Sequence, residues 1–264
     1  MARSPHNFRL LLLALPFAAF CAHSLGDRDP FRLSVGAHFP GAMPRIVLWA
    51  WEEPEDLRSA DPQRLGVAFL AERVFIGDRV STIPRRQPIL VPQGIWAEAV
   101  VRLKASDSFH DEAATRIGTV NAILTAAHLP GIRAVQIDFD ATPAQRPFYA
   151  EVLRQVRAGL PTGERLEMTA LVSWCSQSEG WLRSLPVDAA IPMEFRLGRH
   201  VGTWGVREPQ CMGAIGVSTD EPSTRPAELI PSQITYVFAP RPFTAEQLAL
   251  LNQGKVPNDA EGAR

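Results

Sequence analysis

Three acids stand where a sheet protein could use them for chemistry. Asp138 and Asp140 close the apolar run Ala134–Asp140, and Glu194 lies in a second run, Ala189–Arg196. Side chains on a strand alternate between faces, so Gln136, Asp138 and Asp140 share one face and Val135, Ile137 and Phe139 the other. A strand tolerates polar groups on one face if they are paired or if they lie at an end open to water. The open end points to the C-terminal mouth of a parallel α/β sheet or barrel, where such folds keep their chemistry. Hydrolysis of a glycosidic bond needs two carboxyls across the scissile oxygen, about 5–5.5 Å apart for retention and about 6.5–9.5 Å for inversion. Asp138, Asp140 and Glu194 are the candidate catalytic set, with Glu52, Glu72 and Asp220 in reserve. The competing reading of Asp138 is an interior ion pair with Arg102 or Arg196. An acid beside an arginine is held ionised, which suits a nucleophile or base better than a general acid.

Binding candidates surround these acids. Trp49, Trp51, Trp174, Trp181 and Trp204 fall near expected strand ends and loops. A sugar can stack its apolar C–H face on such rings, and Trp174 is the leading stacking candidate; core filling is the alternative. Tyr236 is expected inside the barrel on the last strand, where its hydroxyl needs a partner. Trp49, Trp51, Glu72, Arg102, Trp174, Arg196, Asp220 and Tyr236 form the candidate substrate-binding set.

Other chemistries have no motif. The six histidines are scattered without ligand spacing, and Asp138 with Asp140 supplies too few ligands for a cation, so neither metal nor cofactor is expected. There is no Gly-x-Gly-x-x-Gly, Walker A or Gly-x-Ser-x-Gly sequence. A net charge of -1 offers no basic excess for a phosphate backbone, so no nucleic-acid partner is expected.

The elements that must position these residues read as follows. Arg45–Trp51, Leu65–Ile76, Trp96–Leu103, Ala134–Asp140, Leu166–Trp174, Ala189–Arg196, Ala214–Ser218 and Ile234–Ala239 are predicted strands. Helical spacing covers Phe109–Leu129, with Ile117, Val120, Ile123 and Leu124 as its buried stripe, then Arg146–Leu160 and Thr244–Leu251. Glu55–Arg58 reads as a short helical turn, and Glu179–Leu185 as one or two turns. The prolines at 84, 88 and 92 mark a loop or irregular hairpin. Eight strands with helices or loops between them predict an α/β fold, a (β/α)8 barrel with short or missing helices after strands two, six and seven.

Composition suits a folded globule, with 46% hydrophobic and 21% charged residues among 264. Residues 1–21 read as a signal peptide, Arg3 and Arg9 preceding the apolar Leu10–Phe20 run, which is too short to span a membrane. Residues 22–43 read as a linker, 44–252 as one barrel domain and 253–264 as a loose tail. Export to the periplasm is expected; lipidation of Cys21 in the cell envelope is the alternative. After cleavage Cys175 and Cys211 remain, free to pair or not in an oxidising compartment.

The blocks Gln136–Ala141, Thr169–Cys175 and Pro192–Arg196, with Trp49-Ala50-Trp51, resemble a bacterial family known as domain of unknown function 3142. The resemblance spans about residues 44–240 and implies a glycosidase-like barrel in exported proteins, without catalytic residues to carry over. A looser likeness is to family 18 chitinase-type glycosidases, whose fourth strand ends in alternating acids and a glutamate general acid. Asp138 and Asp140 match that rhythm, but Thr142 stands where the glutamate belongs. Two functions follow as expectations: a barrel that hydrolyses or binds a saccharide at its mouth, or a non-catalytic carbohydrate-binding or envelope interaction protein on the same scaffold.

Overall fold

Eight strands close on themselves in the computed structural model, which describes residues 43–107, 109–176, 180–197, 205–221 and 233–257. They are β1 (Ile46–Ala50), β2 (Leu65–Ile76), β3 (Trp96–Ala105), β4 (Ala134–Asp138), β5 (Arg165–Leu171), β6 (Ala189–Met193), β7 (Ala214–Ser218) and β8 (Ile234–Phe238). Each pairs in parallel with its neighbours in sequence, and β1 pairs with both β2 and β8. Closure leaves these strands no free edge and divides their side chains into an inner and an outer set. This is a degenerate (β/α)8 barrel. β1 and β4 are buried at every position, as strands covered on both faces must be.

The outer layer is uneven. Helices α1 (Ala113–Ala127) and α2 (Arg146–Gly159) pack together over the β3–β4 side, and α2 buries Phe148, Tyr149, Val152, Leu153 and Val156. Tyr149 donates to the Ile137 carbonyl at 3.3 Å and meets Phe139 edge-on at 5.2 Å, which fixes α2 behind the strand carrying Asp138. Among the described residues two shorter helices follow, α3 (Val172–Ser176) and α4 (Ala245–Asn252). After β2 the chain turns back as the strand Val80–Pro84, antiparallel to β2, in place of a helix.

Several expectations need correction. Ile117 is 56% exposed, because it lies about 120° round the helix from Ile123, the centre of the buried face. Glu55–Asp56 is extended, pairing with Ile89–Leu90, and is not a helical turn. β5 stops at Leu171, so Trp174 and Cys175 lie on α3 and not on a strand. β6 stops at Met193, and Arg196 takes a left-handed φ of 57°. Pro192 has no N–H to offer, and the β6–β7 seam beside it registers one residue pair, Gly216 with Met193.

Cys175 and Cys211 form a disulfide, their Cα atoms 5.9 Å apart. Among the described residues no helix is long and apolar enough to cross a membrane. The signal, linker and Cys21 readings, Trp204, and the end of the tail lie outside the described residues.

Candidate functional site

The inner face of the barrel carries two polar centres, one at each end. The upper one begins with Asp138, the last residue of β4. Its carboxylate accepts from the Arg102 guanidinium and, at 3.0 Å, from the Thr169 hydroxyl. Arg102 and Asp138 are register partners on β3 and β4, and Thr169 is on β5, so three adjacent strands build the cluster. Arg102 also reaches Asp140 at 3.4 Å, one guanidinium thus bridging both acids. The two acids differ sharply, since Asp138 is 3% exposed and Asp140 51%. Burial pushes the Asp138 carboxyl up, against the pull of Arg102 and with a further push from Asp140.

Around this cluster lies a pocket of about 450 Å³. Trp49 from β1 and Trp51 just after it, Leu171 from β5, Met193 and Phe195 from β6 and beyond, and Phe238 from β8 give it apolar walls. Phe195 and Phe238 stack at 5.4 Å. Arg102, Lys104, Arg196, Glu52, Asp138, Asp140 and Thr169 supply its polar atoms. Trp49 is fixed from two sides: its indole N–H donates to Gln136 at 2.9 Å, and its ring rests on Gly216. A Cβ at Gly216 would sit 3.2 Å from that ring, which is why a glycine interrupts β7. Arg102 lies over Trp51 at 5.8 Å, and Trp51 keeps a partly open face.

The expected site residues separate into those at this pocket and those elsewhere. Asp138, Asp140, Trp49, Trp51, Arg102 and Arg196 line it together. Glu194 does not; it falls between Met193 and Phe195, which do, and so points off the inner face. Glu72 is also turned away. The β2–β3 register slips between Leu70 and Glu72, so that Leu70 faces Val100 but Glu72 faces Val101 and Arg73 faces Arg102. Ala71 is therefore a bulge residue, and it sends Glu72 outward and Arg73 inward. Buried there, Glu72 is pushed up to about 7. Asp220 is exposed past β7 and accepts from Ser218. Trp174 is buried on α3, edge-on to Trp181 at 5.1 Å under Arg146, and does not line the pocket. Thr142, at the missing glutamate's position, opens a 3-10 turn, its N–H donating to the Gln145 side chain at 2.9 Å.

The lower centre was not anticipated from sequence beyond Tyr236 itself. The Tyr236 hydroxyl meets Glu98 at 3.0 Å and also Glu167, and Arg165 donates to Glu167 at 2.7 Å. All three central residues are fully buried at the N-terminal half of the barrel, away from the pocket. One phenolic O–H can donate once, so one carboxyl must be protonated and donate back. Burial raises Glu98 well above its ordinary value, and Glu167 has Arg165 to hold its charge; Glu98 carries the proton. The signal was available, since Glu98 is two steps of two from Arg102 and Glu167 one step from Thr169, hence on the inner face. Among the described residues no three His, Cys, Asp or Glu converge as metal ligands.

Comparison with known proteins adds a distant likeness. No family model matches the chain, and no curated protein matches it. Among solved structures, the Bacillus cereus spore cortex-lytic enzyme SleL is similar at 16% identity and a TM-score of 0.46, over 83% of this chain. This chain spans 60% of that protein. The barrel assignment here rests on strand order and register.

Proposed function

We propose that the barrel mouth binds a saccharide without hydrolysing it. The supporting observation is the state of the acids that line the pocket. Asp138 is buried against Arg102 and Thr169, Glu52 is held by Arg73 at 2.9 Å, and Asp140, half exposed, meets Arg102 only at 3.4 Å, so Asp140 is the least tightly held carboxylate of the lining. An acid–base or acid–nucleophile pair across a glycosidic oxygen needs two available carboxyls. Trp51 offers the half-open ring on which a sugar would stack, with Asp140 and Lys104 as hydrogen-bonding partners for its hydroxyls. The apolar N-terminal run and the disulfide favour an exported, periplasmic protein, and the blocks around Asp138, Trp174 and Glu194 favour the family of unknown function 3142.

The test is an oligosaccharide panel scored for both binding and released reducing ends, with wild type and Asp140→Asn in parallel. Binding without products, weakened by roughly threefold to tenfold in the variant, is expected. Product release by the wild type that Asp140→Asn abolishes would establish hydrolysis instead.

A further inference from the structure

The mouth pocket does not end at Glu52. The same side chain lines a second groove of about 330 Å³, walled by Arg73 of β2 and by Ile83, Arg85 and Arg86 of the returning strand and the turn after it. The two hollows share Glu52 as a lining residue, its carboxylate paired with Arg73, and lie side by side as the two parts of a cleft. Its charge is lopsided. Six cations line the two parts against three acids, Glu52, Asp138 and Asp140, on a chain whose net charge is -1.

Half of these cations are already engaged. Arg85 donates to the carbonyls of Ala50, Glu53 and Gln87, Arg73 is held by Glu52, and Arg102 by Asp138. Arg86, Lys104 and Arg196 have no carboxylate within ion-pair distance of their side chains among the described residues. The Lys104 ammonium lies 6.0 Å from the centre of the Phe75 ring and the Arg196 guanidinium 5.3 Å from that of Phe238, so aromatic faces and not carboxylates hold both charged heads beside the mouth. The bulge at Ala71 contributes directly, since a regular β2 would have presented Glu72 here and not Arg73.

We propose that the cleft takes an acidic oligosaccharide. One sugar ring stacks on Trp51, and carboxylate or other anionic substituents along the chain meet Lys104 and Arg196 in the mouth and Arg86 in the second groove. This rests on the saccharide-binding reading and adds the substrate class to it. Partly solvated cations give a salt-dependent preference more than a large affinity.

The experiment compares three probes of equal length on the full-length protein: a neutral cello-oligosaccharide, an oligogalacturonate and a sulfated oligosaccharide. At low salt the acidic probes are expected to bind about tenfold more tightly than the neutral one, an advantage that shrinks at about 0.5 M salt. Arg86→Glu and Lys104→Glu are each expected to narrow the acidic-to-neutral ratio by roughly fivefold. Whichever acidic probe binds better identifies the substituent, and either order supports the site. Equal affinity for neutral and acidic probes, with both variants silent, overturns this inference and leaves the saccharide reading standing. Failure of every probe to bind overturns both.

Discussion

One phenolic hydroxyl serves two carboxyls at the base of the barrel, and that arrangement has a measurable consequence. Tyr236→Phe removes the donor to Glu167 and the acceptor for the Glu98 proton, leaving buried polar atoms unsatisfied. A loss of about 1–3 kcal/mol in urea unfolding is expected. Glu98→Gln keeps a donor at that position and should cost less than Tyr236→Phe; the reverse order would show that Glu98 is ionised in the native state. At the mouth, the pairing of Asp138 with Arg102 was legible from the alternation of β4 and from the position of Arg102. The inward facing of Glu98 and Glu167 could have been counted in the same way, but their roles were not read, because single acids inside apolar runs give no hint that a tyrosine joins them. Glu72 was not legible. Only the register slip reveals which face it takes, and a bulge one alanine long has no sequence signature here.

At the scale of elements, the eight strands were readable because each is a short apolar run bounded by turn residues, and the long amphipathic α2 for its spacing. What failed was local. Val172–Ser176 continues the apolar run of β5 yet coils into α3, which carries Cys175 to its bond with Cys211. The disulfide spans 36 residues, and replacing both cysteines by alanine is expected to cost about 3–4 kcal/mol on the chain-entropy account. Equilibrium urea unfolding of the double variant, with the oxidised wild type alongside, measures this. A midpoint unchanged from wild type would mean that the loop is held by its packing alone. The same scale explains Trp174: on a strand it would have faced the mouth or the helices, whereas on α3 it seals the layer beside Trp181.

For the whole molecule, the main electrostatic fact is how many wholly or partly buried acids the barrel keeps. Glu55, accepting from the Phe243 N–H at 3.2 Å, and Glu72 are both pushed from 4.5 up to about 7 by burial. Asp138, Glu98 and Glu167 are raised as well, again chiefly by burial. Each group binds its proton more tightly folded than unfolded, so the folded state gains protons relative to the unfolded one. Stability is then full below about pH 4.5 with respect to these groups and falls as pH rises towards 7, by on the order of 3 kcal/mol for Glu55. Asp56 shifts the opposite way, to about 2 through Arg58, but it is exposed and adds little. Urea midpoints at pH 5 and pH 8 check the sign: higher stability at pH 5 is expected, with Glu55→Gln flattening the difference, and higher stability at pH 8 would contradict it.

Closure of eight strands is what brings Trp51, Asp140 and Arg196, separated by 145 residues of chain from first to last, to one opening. The claim that this opening is a saccharide site is tested most directly by calorimetric titration of the tightest-binding oligosaccharide into wild type and Trp51→Ala. Loss of a stacking face is expected to weaken binding about tenfold or more, while the variant stays folded with a lowered unfolding midpoint, since the ring is half-buried against the inner core. Equal heats and equal affinities in the two proteins would contradict the account, since no sugar could then be seated on the ring that defines the pocket.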